Sequence, residues 1–182
     1  MLISDGITCD VDKNFGFNNT PALMAEYIKF LIKYVKNRNK KFICSFKRLN
    51  SSQKDFEEKI KFYKKYLNDE EFEFLINNST LNHKKNRYLT YELMLKSDLS
   101  VSAFSTLLRE NLSLGRKTLS INFIDSDVFE FPINGICKLK RCSYNEFEKK
   151  LDQSCDMDRE KFIEKLSGKD KYLIEFDKNY ST

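Results

Sequence analysis

The sequence predicts an α/β fold with a mostly parallel sheet and helices on both faces, and three observations lead there. Short apolar runs alternate with longer amphipathic segments at least four times along the 182 residues, the order that gives parallel strands crossed by helices. Only five Gly and two Pro are present, too little turn material for an all-β chain. Hydrophobic residues make up 41%, with 16 Phe and 9 Tyr, enough to build the core that a disordered chain lacks. The length suits one ordinary domain, so residues 1–182 are expected to form a single unit.

Leu2-Ile3 reads as the end of a first strand, followed by a polar loop to Asn19. Thr20-Pro21 is a helix start, because a hydroxyl caps and proline suits the first helical position. Leu23, Tyr27, Phe30, Leu31 and Tyr34 then recur at helical spacing to about Lys36. "KFICSF", 41–46, reads as a buried strand. Ser52-Gln53-Lys54-Asp55 resembles a capping box and opens a helix with the stripe Phe56, Ile60, Tyr63 and Leu67. "FEFLI", 72–76, alternates like a strand. A helix over about 87–96 leads to a strand over 98–102, a short helix, and the strand "KTLSINF", 117–123. "GICKLK", 135–140, is a further short strand. Ser143-Tyr144-Asn145-Glu146 caps a helix carrying Phe147 and Leu151, and another covers about 158–166.

Charge and cysteines narrow the function. The net charge of +5 comes from 32 basic and 27 acidic residues spread along the chain. A nucleic-acid binder concentrates its cations in a stripe, so no nucleic-acid partner is expected. Small phosphorylated ligands or an anionic membrane surface suit the mild excess. Cys9, Cys44, Cys137, Cys142 and Cys155 are odd in number and form no C-x-x-C pair, which suggests reduced thiols rather than a disulfide framework or a zinc site. His83, the only histidine, sits in the polar run 82–86 and reads as a solvated loop residue. Asp5, Asp10 and Asp12 lack the full calcium-loop pattern, so no metal is expected there. No run reaches the roughly 18 apolar residues of a membrane span, and "MLISDGITCD" lacks a signal-peptide pattern. A cytoplasmic location is expected, compatible with peripheral contact at the inner membrane face.

The stretch with the most chemistry is "SVSAFSTLLRENLSLGRKTLSINF", 100–123. It reads as strand, turn, short helix, glycine, strand. On a helical wheel Thr106, Arg109, Glu110 and Ser113 share one side, and Leu107, Leu108, Leu112 and Leu114 the other, with Asn111 intruding. The polar side begins at the strand's carboxyl end, where ligands of parallel sheets bind. Amides and a partial positive charge at the helix mouth suit a phosphate. Ser105 and Thr106 add hydroxyls, and Glu110 could accept from a sugar's vicinal hydroxyls. Taken alone, the pattern reads equally as a capping serine and a surface charge. Lys47-Arg48, just past the strand 41–46 on the same expected edge, favours the ligand reading, although a solvated pair is equally natural in a Lys-rich chain.

"KSDLSVSAFSTLLRENLSLGRKTLSINF" resembles the nucleotide-binding segment of GT-B glycosyltransferases. "DVFEFPINGICKLKRCSYNEFEKKLD" is similar to the segment that follows it in surface-polysaccharide and lipopolysaccharide glycosyltransferase-like proteins. The likeness is good over about 87–155 and looser over 20–86. It implies a Rossmann-like three-layer sandwich corresponding to the C-terminal, donor-binding half of such an enzyme. By position it implies Ser105 and Thr106 at the donor's diphosphate, Glu110 at the ribose, Lys47 and Arg48 near the phosphates, and Tyr88, beside Asn86 and Arg87, near the nucleobase. Glu130, between Phe129 and Phe131, would border the donor sugar. Arg109, Ser113 and Ser120 depart from the small or apolar residues common in relatives. The implied substrate is a nucleotide sugar. The implied acceptor is a glycan or lipid-linked glycan, and no metal cofactor is required. The acceptor half would be a separate domain or subunit. Two alternatives stay open: a non-catalytic GT-B-like binding or scaffold module, and a fragment of a sugar-nucleotide epimerase. A flavodoxin-type signalling domain fits less well, for want of an acidic pocket.

Overall fold

The computed structural model describes residues 1–4, 20–46, 53–80, 88–124 and 130–166. Six strands, β1 (Leu2–Ser4), β2 (Cys44–Phe46), β3 (Ser79–Thr80), β4 (Leu99–Ser102), β5 (Lys117–Asn122) and β6 (Lys138–Lys140), form one sheet in the order β3-β2-β1-β4-β5-β6. All five pairings are parallel, with Leu2 facing Cys44 on one side and Val101 on the other. Seven helices are described: α1 (Thr20–Asn37), α2 (Gln53–Tyr66), α3 (Asp69–Asn77), α4 (Leu89–Lys96), α5 (Leu107–Ser113), α6 (Tyr144–Asp156) and α7 (Arg159–Glu164).

The chain winds outward through β1, β2 and β3, then returns to start the other half at β4. Crossovers of one hand place the two halves' helices on opposite faces. Helices α1, α2, α3 and α6 cover one face, packed on Leu2, Phe46, Val101, Ile121 and Phe123. Helices α4, α5 and α7 cover the other, where Met94, Leu108, Leu112 and Phe162 gather around Ile3. The result is the three-layer, Rossmann-like sandwich expected from the sequence.

Local chemistry explains most boundaries. Helix α1 buries Met24, Tyr27, Ile28, Leu31, Tyr34 and Val35. It closes where Lys40 N–H donates to the Val35 carbonyl and Asn39 N–H to that of Lys36, with Asn39 at φ +47°, a Schellman end with Asn in the left-handed position. Helix α5 ends the same way. Gly115, at φ +67°, donates to Leu112, and Arg116 to Asn111, a turn that a side chain at 115 would strain. Helix α6 starts from the expected capping box of Ser143 and Glu146.

Two readings need correction. "FEFLI" is helix, inside α3, and the strand falls on Ser79–Thr80 instead. Asn68 Oδ1 accepts from Glu71 N–H at 2.8 Å and Glu71 Oε2 accepts from Asn68 N–H at 3.0 Å. This capping box, with Asp69, Glu70 and Glu71 in the positive first turn, outweighs a two-residue alternation. Helix α2 is also rotated. It buries Lys59 and Phe62 beside Tyr63, leaving Ile60 half-buried. Phe62 packs edge-on to Tyr63 at 5.0 Å, and the Lys59 ammonium lies 5.7 Å from the Phe46 ring centroid.

Candidate functional site

In a sheet of this order, the direction in which the chain adds strands reverses between β1 and β4, and the crevice beyond their carboxyl ends is where ligands bind. The turn Ala103–Thr106 leaves β4 at that place. Ser120 on β5 donates its hydroxyl to the Ala103 carbonyl at 2.7 Å, tying the turn to the next strand. Leu108 and Leu112 are fully buried and set the rotation of α5, so Thr106 and Arg109 point outward. Asn111, the polar residue on the apolar side, is buried. It donates to the Lys117 carbonyl at 3.1 Å and to Thr118 Oγ1 at 2.8 Å.

The Thr106 hydroxyl does not cap the helix. Thr106, rather than Ser105, precedes the helix. It already has helical dihedrals and makes no side-chain cap bond. Leu108 N–H turns back to Ser105 O, and those of Arg109 and Glu110 to Thr106 O. Amides available to an outside acceptor are therefore those at the tip of this two-turn helix. Ser113 donates its hydroxyl to the Arg109 carbonyl at 2.9 Å and so serves the helix.

Glu110 has a partner that sequence reasoning missed. Tyr91, on the first turn of α4, donates its hydroxyl to Glu110 Oε2 at 2.6 Å. This bond, with some desolvation, pushes the Tyr91 phenol up to about 12. The link joins the helices on either side of β4 and holds the carboxylate toward the carboxyl edge. Tyr88, which immediately precedes that helix, is 69% exposed. Only the position of Tyr91 one turn after Tyr88 was visible in the sequence.

Other candidate residues fall into two groups. Lys47 and Arg48 lie outside the described residues, as do Asn86, Arg87, Phe129, His83, Cys9 and the aspartates of the first loop. Phe46, which precedes Lys47, ends β2 on the same edge as the Ser105 turn, two strand spacings away, or about 10 Å. Glu130 is described, and its carboxylate is committed to Lys138 and Lys140. Bonds from those two ammonium groups hold it below the usual carboxylate range. Phe131 is core. Lys59 is a second residue that the sequence reading missed: it is 2% exposed and its ammonium lies over Phe46, at the β2 end of this edge. Its polar type within an apolar stripe was the available signal. Among the described residues no His, Cys, Asp and Glu cluster could hold a metal ion, and no helix is long and apolar enough to cross a membrane.

The arrangement offers two hydroxyls, a few amides, one oriented carboxylate and an exposed aromatic ring. Such a set can bind an anion and a diol; it contains no evident nucleophile. No match to a curated protein or to a solved structure was found. A family model does match residues 10–133, more than half of the chain and the whole span from before α1 to past β5. The chain thus belongs to the family described as "putative O-antigen biosynthesis protein", which ties it to polysaccharide synthesis.

Proposed function

We propose that the chain is the donor-binding half of a glycosyltransferase that takes a sugar from a nucleoside diphosphate and delivers it to a glycan or lipid-linked acceptor. In this reading Ser105, Thr106 and the amides of the turn hold the diphosphate, and Glu110 accepts from the ribose hydroxyls. Tyr88 stacks on the base, and Lys47 and Arg48 neutralise the departing phosphates without a metal. Fixed donors aimed at a leaving diphosphate lower the barrier to its departure. The acceptor and its base come from another domain or subunit, so the isolated chain binds nucleotide and transfers little.

The observation that carries this reading is the Ser105-Thr106 turn and Glu110 together at the switch point of a 3-2-1-4-5-6 sheet. Family membership in O-antigen biosynthesis supports the same substrate class. Calorimetric titration with UDP, CMP, CDP, GDP and dTDP tests it. One nucleotide is expected to bind saturably, with Glu110→Ala weakening it tenfold or more, the equivalent of about 1.4 kcal/mol. Absence of binding to all five overturns it.

A second reading, a non-catalytic module, draws on the Tyr91–Glu110 bond. A carboxylate already clasped between two helices has a structural use of its own. In that case no nucleotide binds, and Glu110→Ala changes stability alone.

A further inference from the structure

A cavity of about 490 Å³ opens at the amino-terminal edge of the sheet, the opposite end from the Ser105 turn. That is within the usual 300–1,000 Å³ of small-molecule pockets. Its walls come from three helices. Leu31 and Val35 of α1, Leu93 of α4 and Leu151 of α6 line an apolar interior. Cations lie around it: Lys40 and Lys41 after α1, and Lys96 at the end of α4.

These cations have few competing duties. Lysines near helix C-termini often serve only to balance the carbonyl ends, and three helices, α1, α4 and α6, end beside this cavity. All three are capped by other groups. The end of α1 is closed by its own backbone at Asn39. At the end of α4, Ser97 Oγ donates to the Leu93 carbonyl at 2.7 Å, and the Arg116 guanidinium to the Ser97 carbonyl at 2.8 Å. At the end of α6, the buried Lys117 ammonium donates to the carbonyls of Cys155 and Met157, both at 2.9 Å. Lys117 also neutralises the cavity's carboxylate, Asp98, at 3.0 Å. Lys40 faces Asp156 at a long 3.8 Å. Lys41 and Lys96 have no ion pair among the described residues. The lining is therefore apolar inside and net positive around it.

We propose that this cavity binds a single-chain amphiphile with an anionic head: the hydrocarbon lies against Leu31, Val35, Leu93 and Leu151, and the head meets Lys41 and Lys96. Burial of the chain drives binding, and the lysines select the head's charge. The site is independent of the proposed donor site, since it sits at the other end of every strand.

The test uses dodecyl phosphate below its aggregation concentration, titrated calorimetrically. Dodecyl maltoside, dodecyltrimethylammonium and inorganic phosphate serve as the other arms. Saturable one-to-one binding of dodecyl phosphate is expected, at least tenfold tighter than either other amphiphile, with none for inorganic phosphate. The double variant Lys41→Gln/Lys96→Gln, at two exposed positions, should lose tenfold or more for dodecyl phosphate while dodecyl maltoside is unaffected. Cys155 lines the cavity and is half-buried, as is Cys142 elsewhere. Peptide-resolved alkylation should slow at Cys155 and not at Cys142 when dodecyl phosphate is present. The proposal is overturned by no saturable binding, by affinity indifferent to the head, by the double variant behaving as the parent, or by equal protection of both cysteines.

Discussion

The two faces of one sheet are built from opposite materials. Toward α1, α2, α3 and α6 the strands present Leu2, Cys44, Phe46, Leu99, Val101, Leu119, Ile121 and Phe123. Toward α4, α5 and α7 the alternate positions of the same strands present Ser45, Ser100, Ser102, Thr118, Ser120 and Asn122, all buried. Period-two alternation thus gives the sheet one apolar surface and one largely polar surface, the latter covered by helices that bury their own apolar cluster around Ile3. The first surface supplies stability through area and ring contacts. The second positions α4 and α5, the helices that carry Tyr91 and Glu110, through Ser45 to Thr90 at 2.8 Å and Asn111 to Thr118 at 2.8 Å. A parallel sheet normally shows near-continuous apolar strands because both faces are covered. Here one covered face is polar, and it bears the candidate site.

The comparison breaks most visibly at its apolar side. Phe30, Phe123 and Phe147 form a mutual edge-to-face group with centroids 5.5–6.2 Å apart. Phe147→Ala removes a fully buried ring from it and is expected to cost about 3–5 kcal/mol, read from the urea midpoint at constant slope. An effect under about 1 kcal/mol would mean that this face does not dominate stability.

The polar face should respond to the loss of bonds rather than of area. Asn111→Ala removes the amide that donates to Thr118 Oγ1 and the Lys117 carbonyl and is expected to cost about 1–3 kcal/mol. Ser100 provides the contrast. Its hydroxyl is buried with no partner among the described residues, so Ser100→Ala removes an unpaid desolvation and should be neutral or stabilising by up to about 1 kcal/mol. Equal losses from both variants would show that packing, not hydrogen bonding, governs this face.

Much of the fold was legible because its signals are local. The β4 run Leu-Ser-Val-Ser and the β5 run Lys-Thr-Leu-Ser-Ile-Asn show the alternation directly, and Ser143 with Glu146 marks the start of α6. "FEFLI" misled because its alternation is as local as the Asn68–Glu71 cap that overrides it. Of the site, Ser105, Thr106 and Glu110 were readable as one strand–turn–helix unit. Tyr91 was not, since its contact with Glu110 needs α4 beside α5, and that neighbourhood is set by strand order. Asn111 looked like an intruder in an apolar stripe because Thr118, whose hydroxyl accepts from its Nδ2, belongs to another element.

The smallest expected effect sharpens the comparison at the site itself. Tyr91 is 37% exposed, and its bond to Glu110 raises its phenol from 10.0 to about 12. Between those values the unfolded chain has released the proton and the folded chain has kept it. Stability from this group is therefore fully present below pH 10 and declines as pH rises toward about 12. Tyr91→Phe lacks the titration. Thermal melts of parent and variant should differ below pH 10 by a constant amount, and the difference should shrink as pH climbs through that window. The other tyrosines, shared by both proteins, cancel in the subtraction. A difference that is flat to pH 12 would mean that the α4–α5 clasp does not form in solution, leaving Glu110 positioned by α5 alone.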